Sequence, residues 1–475
     1  MIVLAMSAPA IWRETATDLA ARIRHREISA LEVMDAHLER IEQVNPLLNA
    51  IVTLDADGAR RAAADADRRL AAGAAPGRLH GLPIAVKDLV DTAGMRTTYG
   101  SPIYRDHVPD ADALPVARLR RAGAIVIGKT NTPEFGAGSQ TFNPVFGPTR
   151  NPYDPSRTPG GSSGGAAAAV AAGMLPFADG SDLGASVRNP ASFCNVIGLR
   201  PSPGRIPRGA SQSPWDPLPV LGPIARTVAD AALLLGALCG PDPSSPLSLQ
   251  DPPDSFDVDL ASDPAGLRIA WSRNLGDLPV APEVTDVLEE RRGTFEAIGC
   301  IVEDVEPDLD GADEAFETLR ALGYVQSLGA LLESHGGQLK ETVAWNTRVG
   351  LSLTADQVAR ALTLQAAAFH GMRQLLERYD ALALPVSQVA PFPVDEEWVR
   401  EIAGVAMGTY IEWMRSCSRI SVTAHPAISV PAGFTRDGLP VGLQLVGRYR
   451  DEVSLLRLAA AFEQATGTGR RPPPL

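Results

Sequence analysis

Two glycine-flanked serines and one lysine are the residues of this chain best suited to covalent chemistry. Ser162 lies in the glycine–serine loop 160–165, and Ser186 closes a second glycine-rich turn, 180–186. Lys87 follows an apolar stretch, 82–86, that we interpret as a buried strand. A serine hydroxyl attacks a carbonyl only when a base takes its proton. The three residues therefore indicate acyl transfer with a neutral lysine as the base.

Lysine is rare in this sequence, which makes each position informative. Only Lys87, Lys129 and Lys340 occur among 43 basic residues. Arginine stays charged in proteins, whereas a buried lysine can lose its proton near neutral pH. Lys129 also follows an apolar strand, so it competes with Lys87 for the role of base, and a surface Lys87 paired with Asp88 is a further alternative. The seven histidines occur singly, and none lies in a GxSxG-like context.

The loop 160–165 has two other interpretations. A flexible linker shares its composition, but Ala-rich and apolar segments follow at once, which is not typical of a linker. A phosphate-binding loop is also glycine-rich, but this loop lacks both a Gly-Lys-Ser/Thr ending and GxGxxG spacing. Dense glycine usually marks a close approach of backbone to another group. We therefore expect a site built from backbone N–H groups and serine hydroxyls.

Composition excludes several classes of protein. The 475 residues carry a formal net charge of -13, which argues against nucleic acid or an anionic membrane as the main partner. No apolar run approaches the roughly 20 residues of a membrane span. The four cysteines lie far apart without a CxxC pair, so neither a zinc site nor a disulfide framework is indicated. We expect a cytoplasmic protein without a metal or an organic cofactor.

Strand and helix patterns alternate along the chain and predict an α/β fold. We expect a central mixed, mostly parallel β-sheet covered by helices on both faces. A helix is predicted at 166–173, and residues 308–420 are predicted to be mostly helical with a proline-rich interruption at 385–393. The segment 241–264 is rich in Pro, Asp and Ser and is predicted to be a surface excursion.

Five motifs in order resemble those of the amidase signature family of serine hydrolases. They are GLPIAVKD at 81–88, GKTNTPEF at 128–135, GGSSGG at 160–165, GSDLGASVRNPASFC at 180–194, and HPAISVPAGF with GLPVGLQLVG at 425–447. The resemblance covers nearly the whole chain and is weaker across 241–264 and 300–415. It implies one amidase signature domain over 1–475, with a signature core at about 80–240 and a substrate-shaping helical region at about 308–420.

The resemblance implies a Ser-Ser-Lys triad. Lys87 would be the base, Ser162 the bridging serine after a cis peptide bond, and Ser186 the nucleophile that forms an acyl-enzyme. The family's oxyanion hole would be formed here by the backbone N–H groups of Leu183, Gly184, Ala185 and Ser186. Structural roles are implied for Lys129, Ser163 and Ser181, and Asp182 would hold the turn in shape.

The substrate pocket implied by the resemblance is less well defined. Gly136, Ala137 and Gly138 would border it, and Trp215 with the neighbouring prolines would give it an apolar rim. Two departures from the family pattern stand out. Ala185 replaces the usual glycine before the nucleophile, which the turn tolerates if φ of Ala185 is negative. The segment 213–223 lacks the family's Asp-Gln-x-Gly-Pro sequence.

The resemblance leaves three functions open. The first is a stand-alone amidase for a small or aryl amide, a carbamate (a urethanase activity) or an ester, acting as a monomer or homodimer on a small-molecule substrate. The second is the glutamine-hydrolysing subunit of a tRNA-dependent amidotransferase, which needs partner subunits. The third is a non-catalytic scaffold, which the presence of all three triad residues disfavours. Specificity is expected to lie in 308–415 and in the loop 200–220.

Overall fold

The computed structural model describes residues 11–209 and 213–475, so residues 210–212 of the predicted specificity loop lie outside the described part. No helix in these two ranges is long and apolar enough to cross a bilayer. The helices are α1 Ala16–Arg24, α2 Ala30–Leu48, α3 Ala56–Ala71, α4 Leu114–Arg121, α5 Gly164–Ala171, α6 Arg188–Phe193, α7 Val228–Leu238, α8 Pro282–Ala297, α9 Ala312–His335, α10 Glu341–Leu351, α11 Ala355–Arg378, α12 Arg415–Val422 and α13 Glu452–Thr466. The strands are β1 Ile51–Leu54, β2 Pro83–Lys87, β3 Ile125–Thr130, β4 Phe142–Asn143, β5 Gly147–Pro148, β6 Phe177–Asp182, β7 Ile197–Arg200, β8 Val220–Ala225, β9 Arg268–Trp271, β10 Ile301–Asp304, β11 Ala381–Pro385, β12 Glu401–Ile402, β13 Val405–Ala406, β14 Ala427–Phe434 and β15 Pro440–Val446.

A small sheet in the order β1-β3-β2 carries two of the lysines. β2 runs parallel to β3, and β1 runs antiparallel to β3. Every residue of β2 and β3 is buried. Lys87 is the last residue of β2, as its apolar run predicts, and the main-chain N–H of Lys87 donates to Asp179 of β6 at 2.9 Å. That bond ties the small sheet to the large one.

The large sheet has the order β10-β9-β11-β15-β14-β7-β8-β6. The α/β class and the mixed sheet are confirmed, but the expectation of mostly parallel strands is wrong. Within residues 11–209 and 213–475, only β10–β9 and β9–β11 of this sheet are parallel pairs, and the other neighbours are antiparallel. Helix α6 does join two strands of the same direction, β6 and β7. However, β8 inserts between these two strands, antiparallel to both, and β14 and β15 form a hairpin.

Helices cover both faces of the large sheet, as predicted. Ile269 and Trp271 of β9 pack in a core with α7, α8 and α13, whereas Ala270 between them belongs to a second core with α9, α11 and α12. Strand β11 alternates in the same way, with Ala383 in the first core and Leu382 in the second. This period of two follows from the pleat of a strand.

Helix α5 is a short buried helix with no side chain larger than valine. Small side chains let its backbone approach its neighbours closely. A Cβ atom added at Gly165 would lie 2.4 Å from the backbone nitrogen of Asn131 and 2.7 Å from the backbone oxygen of Ala50. Gly165, the second residue of α5, is therefore required because its backbone packs against residues beside the ends of β1 and β3.

We expect Gly165→Ala to destabilise the protein by about 1–3 kcal/mol, because the added methyl group meets backbone atoms that cannot move aside. Gly293→Ala in α8 is the matched control, since a Cβ there meets nothing within 4 Å. The control should be neutral or stabilising by up to about 1 kcal/mol. The apparent melting temperatures of the two variants test this, and equal values would contradict the packing argument.

Candidate active site

The Lys87 amine lies among three serine hydroxyls. Its Nζ is 2.7 Å from Oγ of Ser162, 2.8 Å from Oγ of Ser163 and 3.0 Å from Oγ of Ser181. The lysine side chain is fully buried. Ser162 and Ser163 come from the loop before α5, and Ser181 comes from β6, so three separate chain segments meet at this amine.

The surroundings of Lys87 favour its neutral form. Burial lowers the pKa of the Lys87 amine to about 7, although the carboxylates of Asp179 and Asp182 act in the opposite direction. Burial also raises the pKa of Asp179, which weakens its opposing charge. No ion pair to Lys87 occurs among the described residues, and the partners of its Nζ are hydroxyls. At neutral pH, the Lys87 amine is therefore uncharged in a large fraction of the molecules and can accept a proton there.

The other two lysines are engaged elsewhere. Nζ of Lys129 donates to the carbonyl of Val90 and to Oγ1 of Thr92, so it braces the segment after β2. Burial lowers the pKa of Lys129 to about 8, but its amine contacts neither Ser162 nor Ser186. Lys340 pairs with Glu397 at 3.1 Å. Of the two lysines that competed for the role of base, Lys87 is the one placed beside the serines.

The loop 160–165 is held by two side chains from the segment 139–141. The hydroxyl of Ser139 donates to the carbonyl of Gly161 at 2.7 Å, and that of Thr141 donates to the carbonyl of Gly160 at 2.8 Å. The Thr141 oxygen also accepts from the N–H of Gly164 at 3.1 Å. The peptide bond Gly161–Ser162 is cis, as the family resemblance implies.

Ser186 lies in the turn that joins β6 to α6, and it is half-buried. Its carbonyl accepts from the N–H of Ser163 at 3.1 Å, which fixes the turn against the loop 160–165. The backbone N–H groups of residues 183–186 and the Ser186 hydroxyl have no hydrogen-bond acceptor in the described part of the chain. Ala185 does not have a positive φ, so its methyl group is compatible with the turn.

Asp182 anchors this turn through a buried ion cluster. Its carboxylate accepts from the N–H of Val187 at 3.1 Å and pairs with Arg188 at 3.0 Å and Arg200 at 3.4 Å. Burial alone would raise the pKa of Asp182, but the two guanidinium groups outweigh it and hold the pKa at about 2. Arg188 also donates to the carbonyl of Gly184 at 3.0 Å. The expectation that Asp182 holds the turn agrees with these contacts.

A cavity of about 180 Å³ opens beside both serines. It is lined by Leu89, Phe135, Gly136, Gly138, Ser162, Ser181, Leu183, Gly184, Ala185, Ser186, Pro219, Phe316, Arg320, Tyr324 and Met414. Gly136 has a φ of +72°, and a Cβ there would lie 2.9 Å from Leu89 and 3.5 Å from Oγ of Ser162. The cavity wall therefore needs glycine at this position.

Two of the residues predicted to bind substrate do not line this cavity. Ala137 is buried in a small core with Leu328 and Val343, behind the wall. Trp215 is 72% exposed, and its loop contributes Pro219 to the wall instead. An aromatic residue in a proline-rich loop is compatible with either a rim or the open surface, and sequence does not distinguish the two.

Sequence reasoning missed the wall that α9 supplies. Phe316, Arg320 and Tyr324 are spaced four residues apart on this helix and all line the cavity. Residues at this spacing share one helix face, but the same spacing is typical of a helix packed in a core. The predicted specificity region 308–415 includes this helix, but the prediction named none of the three residues.

A larger cavity of about 560 Å³ lies elsewhere, next to Trp12, Arg40, Tyr153 and Arg226. None of the three residues predicted to form the triad lines it, so the smaller cavity is the better candidate for the chemistry. Within the described ranges, no group of three His, Cys, Asp or Glu side chains is placed to hold a metal ion.

We expect Asp182→Asn to destabilise the protein by about 3–5 kcal/mol, because it leaves the buried Arg188 and Arg200 without a counter-charge. Asp254→Asn is the control, since the Asp254 side chain is 87% exposed and its pairing with Arg78 is weak. Denaturant unfolding near pH 7 measures both. Equal unfolding midpoints for the two variants would contradict a structural role of the cluster.

The same carboxylate sets a pH dependence. Because its folded-state pKa is about 2, below the usual 3.8, its stabilising effect is present above about pH 4 and is lost as the pH falls through 2. The difference in unfolding free energy between the wild type and Asp182→Asn should therefore shrink across this window. A constant difference from pH 5 to pH 2 would rule out this assignment.

Comparisons with known proteins agree with this geometry. The family model described as Amidase matches residues 32–456. An acylamidase of Rhodococcus erythropolis is 37% identical over 94% of this chain and 94% of its own. A glutamyl-tRNA(Gln) amidotransferase subunit of Thermosynechococcus vestitus is 34% identical over 96% of this chain and 99% of its own. The crystal structure of a bacterial aryl acylamidase of the amidase signature family superposes with a TM-score of 0.92 at 30% identity, covering 98% and 100%. The chain therefore belongs to the amidase signature family of hydrolases, which act on C–N bonds.

Proposed function

We propose that this protein hydrolyses the C–N bond of a small or aryl amide through an acyl-enzyme on Ser186. The observation that carries the proposal is the fully buried Lys87 amine, with Ser162 at 2.7 Å, behind a cavity that Ser162 and Ser186 both line. The proposed base thus contacts the proposed relay hydroxyl, and the relay and the proposed nucleophile line the same cavity. A serine nucleophile is activated when a base can take its proton, directly or through a relay group.

The hydrogen-bond partners of Lys87 support a direction for proton transfer. A neutral amine has two N–H donors and one lone pair. The Ser163 hydroxyl is directed at the carbonyl of Ser181 at 3.5 Å, so its oxygen is left to accept from the amine. If Ser181 accepts the second N–H, the lone pair is left for the Ser162 proton. Ser162 can then take a proton from Ser186.

The proposed reaction uses these groups twice. Ser186 Oγ attacks the amide carbonyl, and its proton passes through Ser162 to Lys87. The backbone N–H groups of residues 183–186 stabilise the oxyanion, where one donor can be worth ~3 kcal/mol of barrier. The C–N bond then breaks, and the leaving nitrogen takes the proton back along the same path. Water, deprotonated in the same way, hydrolyses the ester of Ser186 and releases the acid.

The cavity and the relatives support the substrate class. Phe135, Leu183, Phe316 and Met414 give the cavity apolar walls, and its volume of about 180 Å³ fits a small acyl or aryl group. The relatives include an acylamidase and an aryl acylamidase. Carbamates and esters present a carbonyl to the nucleophile in the same way, and we include both as alternative substrates.

A second candidate is the glutamine-hydrolysing subunit of a tRNA-dependent amidotransferase. It is favoured by relatives such as the 34% identical amidotransferase subunit of Thermosynechococcus vestitus. That activity would depend on partner subunits, whereas a stand-alone amidase would not. Turnover of a simple anilide by the purified single chain distinguishes the two. Hydrolysis of glutamine only, and only with partners added, would refute the stand-alone amidase.

We expect a fluorophosphonate to modify Ser186, and Lys87→Ala to slow the modification by roughly 10²–10⁴, the usual contribution of a general base. Ser186→Ala should not be labelled. Lys129→Ala is the matched control, because it also removes a buried lysine but has no contact with the serines. Peptide mass spectrometry locates the adduct. An adduct on another serine, or equal slowing in the control, would contradict the proposed triad.

The rate of this modification should rise with pH through an apparent pKa near 7 and then level off. Below that pH the Lys87 amine is protonated and cannot accept a proton, and above it the amine is neutral. Initial labelling rates from pH 5 to pH 9 measure the profile. In Lys87→Ala the inflection near 7 should be absent, and its persistence there would assign the titration to another group.

A further inference from the structure

Arg320 is a buried cation in the cavity wall without an acidic partner. It is 5% exposed, and its Nη2 donates to the hydroxyls of Tyr324 at 2.9 Å and Tyr410 at 2.6 Å. Its Nε is buried without a hydrogen-bond partner. No carboxylate from the described ranges pairs with it, and the titratable groups that act on it are the hydroxyls of the two tyrosines. A buried charge without a counter-charge is costly.

The acidic side chains near this part of α9 face other cations. Glu317 pairs with Arg415 at 3.5 Å. Asp216 lies 3.6 Å from the Cβ position of Gly323, but it interacts with Arg208 instead of Arg320. The charge of Arg320 is therefore not neutralised by the acids around it.

The two tyrosines stabilise the guanidinium only partly. Its carbon lies 4.4 Å from the ring centre of Tyr324 and 5.4 Å from that of Tyr410, within the range of cation–π contacts. Burial raises the pKa of Tyr410 far above its usual value, so this hydroxyl stays uncharged. These contacts orient the guanidinium but supply no negative charge.

Arg320 and the turn that carries Ser186 line the same cavity. Phe316, four residues earlier on α9, packs against Gly184, where an added Cβ would lie 2.6 Å from its ring. One turn of helix advances about 5.4 Å. An anion bound at Arg320 would therefore share this cavity with a carbonyl held by the N–H groups of residues 183–186.

We propose that Arg320 binds an anionic group of the substrate, and that the preferred substrates of this protein are small amides with a carboxylate. The inference rests on the proposed function at Ser186 and narrows it. Arg320 lines the cavity, and its Nη1 has no hydrogen-bond partner among the described residues, so this end of the guanidinium can donate to a carboxylate. The apolar walls contact the rest of the molecule, and Arg320 contacts its charged end.

The test compares amides that differ only in this charge. Glutaric acid mono-4-nitroanilide and its neutral isostere 5-methylhexanoyl 4-nitroanilide place the group on the acyl side. 4-Acetamidobenzoate and 4-isopropylacetanilide place it on the amine side. In at least one pair we expect the wild type to prefer the carboxylate by roughly tenfold or more in kcat/KM, mainly through KM, because hydrogen bonds to charged groups are strong.

Arg320→Met should remove this preference by lowering kcat/KM for the carboxylate substrate roughly tenfold more than for its neutral isostere. Arg320→Lys, which keeps the charge, should restore part of it and guards against misfolding of the first variant. Arg360→Met is the control, since Arg360 is exposed on α11 and pairs with Glu314. Neutral amides turned over as well as charged ones, with no effect of Arg320→Met, would overturn the inference and leave the proposed function intact.

Binding gives a readout that does not depend on turnover. Glutarate should protect Ser186 from the fluorophosphonate in the wild type and bind Ser186→Ala in calorimetry. The additional change Arg320→Met should weaken glutarate binding by roughly tenfold or more. If no amide is hydrolysed and no adduct forms on Ser186, the proposed function fails, and calorimetry still decides the inference. Equal glutarate affinity with and without Arg320 would overturn it.

Discussion

The buried charge of Asp182 is the interaction on which the candidate site depends. The turn after β6 has few backbone hydrogen bonds of its own, and the Asp182 carboxylate accepts the N–H groups where the turn enters α6. Arg188 extends the cluster to Gln444 of β15 at 2.6 Å and to Ser421 of α12 at 2.7 Å. A single carboxylate thereby fixes the turn of Ser186 relative to the large sheet and to one helical layer.

Lys87 of β2 and Asp182 of the neighbouring strand β6 differ in charge state near neutral pH, because Asp182 stays ionised while Lys87 can be neutral. Burial makes the charged form costly for both Lys87 and Asp182. Asp182 has two guanidinium partners and stays ionised, whereas the Nζ partners of Lys87 are hydroxyls and its amine loses its proton near neutral pH. Both pKa values are lowered, to about 7 for Lys87 and to about 2 for Asp182, so near neutral pH the amine can exchange a proton while the carboxylate stays charged.

Sequence predicted the parts of the site that local patterns encode. The apolar run before Lys87 indicated its strand end, and dense glycine indicated the close backbone approach seen at Gly165. Strand direction in the large sheet was mispredicted because the order of strands in space is not a local property. Helix α6 is too short for a periodic pattern, and the predicted helical region 308–420 also contains β11. The α9 wall was missed because its spacing is typical of any packed helix.

Different chain segments supply the groups around Lys87 and the α9 wall of the cavity, and this separation affects how such a protein can diverge in evolution. The groups around Lys87 and Asp182 come mainly from β2, β6 and the loops beside them, whereas α9 supplies Phe316, Arg320 and Tyr324 from one side. Three positions on one helix can be exchanged without touching a hydrogen bond of the Lys87 amine. Selection can therefore alter recognition while it conserves the reaction, so descendants of one ancestor can keep a common chemistry and still come to consume different compounds.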